Sequence, residues 1–239
     1  MKPRLFFICS ITVLFCSCGN GGRQGSADGT QIKKNYNELG VLESEISHID
    51  GIKHGPARYY YENGNLQYLI PYEHGKKHGE SIWYYENGEI YQVTPFENGK
   101  ENGIRKKYYP SGKLMSEVPY FEGEQIPGMK EYEENGELIT DYPEIVFLEP
   151  EKNSQDRYFL RFHMSNNSKN VRFQQSIISN NGDTLMADVP TLDGIGEIPF
   201  YVAKGESTRT TVTVYAAVNT PLRNVYHTAG TCQVNIVNK

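Results

Sequence analysis

The groups in this chain that could act on a substrate or hold a metal are its histidines, cysteines and carboxylates, and their spacing decides what each can do. His74 and His78 stand four apart, a step that on a helix aims two imidazoles at one ion. Here the segment is His74-Gly75-Lys76-Lys77-His78-Gly79, a glycine-punctuated turn, and His78 shares its place in a repeat with His54 and Asn102. An asparagine at that position points to turn chemistry, so no metal site is expected. His48, His163 and His227 are dispersed and have no ligand-spaced partner. Glu62, Glu86 and Glu134 recur beside turns, as solvated strand ends do, and not as a facing acid/base pair. Cys232 alternates with Val234 and Ile236, the pattern of a small buried hydrophobe and not of a nucleophile. No Gly-x-Ser-x-Gly elbow, His-Glu-x-x-His helix, phosphate loop or calcium loop is present. The expectation is a protein without catalysis, cofactor or metal.

A different chemistry is written at the start. Met1-Lys2-Pro3-Arg4 is a basic head, Leu5 to Phe15 is apolar, and Cys16-Ser17-Cys18-Gly19 follows, the layout of a secretory signal. A membrane helix needs about 20 residues, so this run is too short to span. Phe15-Cys16-Ser17-Cys18 resembles a relaxed lipobox of bacterial lipoproteins, with Cys16 the weaker anchor. The resemblance implies that residues 1–17 are a cleaved signal peptide and that Cys18 carries the lipid. Gly19 in place of Asp then favours the periplasmic face of the outer membrane. Residues 18–35, rich in Gly, Ser, Gln and Asn, read as a flexible tether. Cys9 and Cys16 leave with the signal and Cys18 is acylated, so Cys232 is the remaining thiol and no internal disulfide is expected.

The elements that must carry any binding surface come next. Glycines recur at Gly51, Gly75, Gly99 and Gly123, and at Gly64, Gly88, Gly112 and Gly136, each set spaced by 24. Tyr60, Tyr84, Tyr108 and Tyr132 keep that step, as do Pro71, Pro95, Pro119 and Pro143. A period of this length marks a repeat array. Gly55, Gly79 and Gly103 slip to Gly128, altering the fourth copy, while Tyr36, Gly40 and Leu42 fit a degenerate leading copy. Asn63-Gly64, Asn87-Gly88 and Asn135-Gly136, with Ser111-Gly112, predict two-residue type I′ hairpins. That register pairs Tyr61, Tyr85 and Tyr109 with Leu66, Ile90 and Leu114, and puts Tyr59, Tyr68, Ile70 and Trp83 on one face. Pro71, Pro95 and Pro119 lack an N–H and are expected to bend or end the second strand.

The copied core, Gly-x-x-x-Gly followed by Tyr-Tyr-Glu-Asn-Gly-x-Leu as in Gly75 to Ile90, resembles the MORN repeat family, in particular a bacterial variant that includes antitoxins. The resemblance covers residues 51–143 well and 36–50 weakly. It implies a β-repeat scaffold that binds proteins and, in some members, lipid. A secretion signal and an appended C-terminal region depart from a cytoplasmic antitoxin. Residues 51–143 carry 10 basic and 15 acidic side chains, a poor surface for anionic headgroups. A net charge of −5 likewise excludes a polyphosphate partner such as nucleic acid. Thirteen of the 18 tyrosines lie in this stretch, where rigid amphipathic rings serve either cross-strand packing or recognition. Trp83 breaks the Tyr rule of its column and is the first candidate anchor, with Tyr59, Tyr61, Tyr85 and Tyr109 beside it.

From Glu144 to Lys239 plain alternation takes over, in Tyr158/Leu160/Phe162/Met164, Val212/Val214/Ala216/Val218 and Cys232/Val234/Ile236. Seven short strands in this length suggest an immunoglobulin-like sandwich. Asp183-Thr184-Leu185 resembles a short acceptor motif for periplasmic O-glycosylation, which makes Thr184 a candidate site. The whole reading is all-β: repeats of β-hairpins over 36–143 in one elongated antiparallel sheet, then a sandwich over 144–239. The favoured function is a lipid-anchored, non-catalytic envelope scaffold with a protein partner. The alternatives are an antitoxin or immunity protein that masks a toxin, and an enzyme with a site between ribbon and sandwich.

Overall fold

The computed structural model describes residues 29–153, 157–178 and 183–239. The signal, Cys18 and most of the tether lie outside these residues. Every regular element described is a strand.

The repeats form one 12-stranded sheet, the ribbon. Its strands are β1 (Gln31–Tyr36), β2 (Leu42–Ile49), β3 (Ile52–Tyr60), β4 (Leu66–Glu73), β5 (Lys76–Lys77), β6 (Gly79–Tyr84), β7 (Ile90–Glu97), β8 (Lys100–Glu101), β9 (Gly103–Tyr108), β10 (Leu114–Phe121), β11 (Glu124–Gln125) and β12 (Lys130–Glu131). β5 and β6, like β8 and β9, are two pieces of one strand, so each copy adds two strands to the sheet. The leading copy is complete: β1 and β2 pair around Asn37–Gly40 with Tyr36 opposite Leu42, as Tyr60 stands opposite Leu66 in the next copy.

The two glycine rows make two kinds of reversal, and their assignment differs from the sequence expectation. The type I′ turns, with positive φ at both central residues, are Asp50-Gly51, His74-Gly75, Asn98-Gly99 and Glu122-Gly123. At Asn63-Gly64 only the glycine is left-handed. Gly64 N donates to Tyr61 O at 2.9 Å and Tyr61 N to Asn65 O at 2.8 Å, a three-residue loop of a type I turn closed by a glycine bulge. Asn63 serves through its side chain, whose Oδ1 accepts from Asn65 N at 2.9 Å. The extra loop residue shifts the last pair, so Tyr60, Tyr84 and Tyr108, not Tyr61, Tyr85 and Tyr109, stand opposite Leu66, Ile90 and Leu114. A bulge one step further in restores the expected register, with Tyr59 opposite Tyr68.

The prolines do not end their strands. β4, β7 and β10 run two residues past Pro71, Pro95 and Pro119. The neighbouring strand gives way instead: it breaks at His78-Gly79, Asn102-Gly103 and Gly128, and the proline carbonyls accept from His78, Asn102 and Ile126 amides at 3.0 to 3.1 Å. Gly103 has φ +113°, and a Cβ there would lie 3.0 Å from Pro95 Cγ.

The hydroxyls of Tyr61, Tyr85 and Tyr109 donate to the carbonyls of Tyr84, Tyr108 and Tyr132, at 2.7, 2.8 and 2.8 Å, tying each copy to the next.

The C-terminal strands are β13 (Ile145–Phe147), β14 (Glu151–Lys152), β15 (Tyr158–Met164), β16 (Val171–Ile178), β17 (Thr184–Val189), β18 (Thr191–Leu192), β19 (Ile195–Phe200), β20 (Ser207–Asn219) and β21 (Val225–Val237). The three strands read from the alternation are present as β15, β20 and β21, and the last two are long, with 13 residues each. One sheet has the order β13-β15-β19-β18 with β14 also on β15, the other β17-β16-β20-β21. Leu160, Phe162, Met164 and Ile198 from the first pack on Phe173, Val214, Val218 and Val234 from the second, a sandwich core shut off from solvent. Cys232 packs at its margin, half-buried, and burial pushes its thiol pKa up, as a packing residue requires.

Replacing Gly88, where a Cβ meets nothing within 4 Å, by Ala should cost about 1 kcal/mol through its positive φ alone. Gly103→Ala adds the clash with Pro95 and should cost roughly 2–3 kcal/mol. Urea midpoints of the two variants against the parent check the order.

Candidate functional site

Cross-strand partners share a face of a sheet, and here they line up across the whole ribbon. One row reads Asn35, Ser44, Tyr59, Tyr68, Trp83, Gln92, Lys107, Ser116, Glu131. The row on the opposite face reads Lys34, Glu45, Arg58, Leu69, Ile82, Val93, Lys106, Glu117, Lys130. Its charges pair sideways: Lys34 Nζ lies 2.7 Å from Glu45 and Lys106 Nζ 3.8 Å from Glu117. The hydrogen bond from Lys34, then that from Tyr60, holds the Glu45 carboxyl below the usual carboxylate range.

The first row has two halves. Its middle is aromatic. Trp83 stacks on Tyr68, with ring centroids 5.2 Å apart, meets Tyr91 edge-on at 4.6 Å, and its Nε1 donates to the Tyr61 hydroxyl at 3.3 Å. Tyr59 meets Tyr68 edge-on at 6.3 Å and Tyr85 meets Tyr91 at 5.1 Å. The structure thus gathers Tyr59, Tyr61, Trp83 and Tyr85 into one half-buried cluster, whereas Tyr109 stands one copy further on with its hydroxyl on Tyr132 O.

The other half is polar and covered. The β20–β21 hairpin tip, Thr220–Asn224, sits on it. Glu131 Oε1 accepts from Thr220 Oγ1 and from Asn224 Nδ2, both at 2.6 Å. Lys107 Nζ donates to Arg223 O at 3.0 Å and Leu222 O at 3.4 Å. Gln125 Nε2 donates to Val225 O at 2.8 Å, and Tyr142 stacks on Tyr226 with centroids 4.4 Å apart. Glu131 is 1% exposed, Lys107 6% and Asn224 1%. Ser116, fully buried between Lys107 and Glu131 in the row, is the small residue that leaves room for the turn.

Burying charge costs free energy unless it is paired. Burial, then the neighbouring Arg105, drops the Lys107 pKa to about 8, while Glu131 pulls the other way. Burial, then the Glu131 carboxylate, pushes Tyr142 up to about 12; its hydroxyl makes no well-formed hydrogen bond with protein atoms.

Sequence reasoning missed Lys107, Ser116, Glu131, Thr220 and Asn224. The signal was in the columns: Tyr59, Trp83, Lys107 and Glu131 are one repeat position, and Ser44, Tyr68, Gln92 and Ser116 another. The histidines do not converge: His74 meets His54 edge-on at 5.4 Å and His78 Nε2 lies 3.6 Å from Glu73. Among the described residues no group of three or more potential metal ligands occurs.

Glu131→Ala removes the acceptor of two buried donors and leaves Lys107 without its opposite charge, and should cost about 3–5 kcal/mol at the junction. Because Lys107 is depressed in the folded state, its cost is present at neutral pH and is relieved as pH rises from about 8 toward the unfolded value near 10.4. The parent should therefore gain stability over Lys107→Met across that window, by about 1–3 kcal/mol. Tyr142, raised in the folded state, acts oppositely above about pH 10, and Tyr142→Phe should remove that loss. Chemical unfolding at pH 7, 9.5 and 10.5 separates the two.

Comparison with known families agrees with this geometry. No curated protein matches the chain. Three consecutive segments, residues 53–74, 77–98 and 101–122, match the MORN repeat variant. Each matched segment is one strand pair between successive type I′ turns, and β1–β2 before them has the same geometry. Within the ribbon, residues 53–122 are thus similar to three consecutive MORN-variant repeats.

Proposed function

We propose that this chain is a non-catalytic binding scaffold of the bacterial cell envelope, anchored by lipid at Cys18 on the periplasmic face of the outer membrane, whose ribbon receives a protein partner on its aromatic row. One observation carries the reading: the ribbon face already holds a peptide turn. Lys107, Gln125 and Glu131 grip residues 220–225 of the β20–β21 hairpin through backbone carbonyls and side-chain donors, as a receptor grips a loop of its ligand. The continuation of that row, Tyr59, Tyr68 and Trp83 with Tyr91 beside it, is half-buried, and among the described residues no other segment's turn hydrogen-bonds to it. Rigid rings with a polar tip are the side chains that recognition surfaces favour.

The sandwich supports an immunoglobulin-like reading. Its sheets β13-β15-β19-β18 and β17-β16-β20-β21 follow the A-B-E-D and C-F-G orders of that architecture, with β17 added beside β16. It turns its β20–β21 tip to the ribbon and leaves Thr184 exposed at the start of edge strand β17, open to glycosylation.

Cys18→Ser should move the protein from the membrane to the soluble fraction on cell fractionation; retention in the membrane would remove the anchor. Crosslinking and pull-down of the native protein from membranes should recover a partner that Trp83→Ala loses, by about tenfold or more if the ring is an anchor. Equal recovery from parent and variant would discard the aromatic row as the binding face.

A further inference from the structure

A strand at the margin of a sheet presents backbone N–H and C=O groups without partners, and proteins blunt such margins with short strands, charges or proline. The margins of the three sheets follow that rule with one exception. β11, β12, β14 and β18 have two residues each and β13 has three. β1 carries Lys33 and Lys34, and β17 carries Asp188, paired with Arg172. β21 has none of these devices. Among the described residues it pairs with β20 alone, over 13 residues and without a register shift. It holds no proline and no Lys, Arg, Asp or Glu, and β20 beside it holds Arg209 only. In a chain that is 22% charged, this hairpin stands apart.

The hydrogen bonds fix which groups are open. Thr220 N donates to Asn224 O and Asn238 N to Glu206 O, so the even-numbered residues of β21 bond to β20. The odd-numbered ones, from Val225 to Val237, turn N–H and C=O to the open side and leave their side chains exposed. Gln125 Nε2 already takes Val225 O at 2.8 Å, which marks where the open edge begins. Beyond it, among the described residues, the contact to an outward group is the weak one from the Cys232 thiol to Gln233 O at 3.7 Å. Another strand is what offers donors and acceptors at the matching spacing. We propose that a second copy of this chain supplies it, β21 against β21, antiparallel about a two-fold axis at Thr231. The outer row is self-complementary about that residue. Thr231 faces Thr231 of the second copy, Ala229 faces Gln233 and His227 faces Asn235, so no like charges are opposed. Val225 and Val237, 37% and 61% exposed, face each other at the two ends. Each facing pair from His227 to Asn235 joins two outward residues, so it closes both its hydrogen bonds. The contact uses one patch twice, as a two-fold dimer requires, and turns two four-stranded sheets into one continuous sheet. It involves neither the aromatic row nor the anchor, so its failure leaves the function proposed above untouched.

The test places charge on the axis. The Thr231 side chain is exposed, so Thr231→Lys and Thr231→Glu should leave the sandwich folded, which circular dichroism checks. Every protein compared carries Cys18→Ser, so that acylation cannot drive association. In sedimentation across micromolar concentrations the parent should be a dimer, and each variant alone should associate roughly a hundredfold more weakly, through like charges opposed on the axis. An equimolar mixture of the two variants should recover the dimer, because Lys then faces Glu. Amide hydrogen exchange gives a second readout that needs no variant to fold. The odd-numbered amides from His227 to Asn235 should exchange slowly in the parent at concentrations where it is a dimer and fast on dilution, while the even-numbered amides stay slow throughout. A parent that remains monomeric overturns the proposal. So does a dimer that survives both substitutions, or a pair of folded variants that stay apart when mixed, since either places the contact elsewhere. Slow odd-numbered amides in a monomer would give the edge to another segment of this chain and overturn it too.

Discussion

The ribbon depends on a register that returns to itself. Along the row from Asn35 to Glu131 the cross-strand partners are spaced alternately by nine and fifteen residues, which together make the 24-residue period. The nine-residue step belongs to the three-residue loop with its bulge, the fifteen-residue step to the type I′ turn with the break at the glycine opposite proline. Each reversal alone would offset its strands, and each carries a compensating bulge, so no stagger accumulates. A slip of one residue would send every side chain to the opposite face. Both reversals therefore fix which residues face the sandwich.

Because the rows run straight, one repeat position occupies equivalent places along one face, and a substitution in a column changes the surface at a single point. The column of Tyr59, Trp83, Lys107 and Glu131 passes from aromatic to charged along the ribbon, and the change falls where the 220–224 turn arrives. Within the uniform part, rings fill the face by stacking on one another. At the junction that filling is withdrawn: Ser116 is small, and the charged pair takes the turn's polar groups. A repeat array thus contains its own comparison set, in which agreement reports the scaffold and departure reports contact.

That logic also explains what could be read from the residues alone. The period, the all-β class, the leading copy and the alternating C-terminal strands were legible because they rest on glycines, tyrosines and alternation, all local signals. The assignment of turn types was not. Asn63-Gly64 and His74-Gly75 each place a glycine after a residue able to turn, and only the number of residues between the paired strands distinguishes a type I′ turn from a type I turn with a bulge. The prolines misled for a related reason. Pro71 lacks a donor, but the neighbouring strand breaks at Gly79 and His78 donates to the proline carbonyl, so the strand runs on. The junction was hidden in another way. Lys107 and Glu131 are ordinary charged residues to any local measure, and their burial is imposed by Thr220 and Asn224, about a hundred residues away in the chain.

The junction is polar where it could have been apolar, and the choice has a physical meaning. Apolar contact is non-directional, so a greasy patch would hold the sandwich in many orientations. A buried carboxylate with two short hydrogen bonds, and a lysine on two consecutive carbonyls of the same turn, are satisfied in one arrangement and costly in any other. The depressed Lys107 records that cost: the ammonium is held in a place that disfavours it, because the turn's carbonyls and Glu131 can be met nowhere else. Such a contact adds little to adhesion and much to orientation. It holds the aromatic half of the ribbon and the sandwich in a fixed relation.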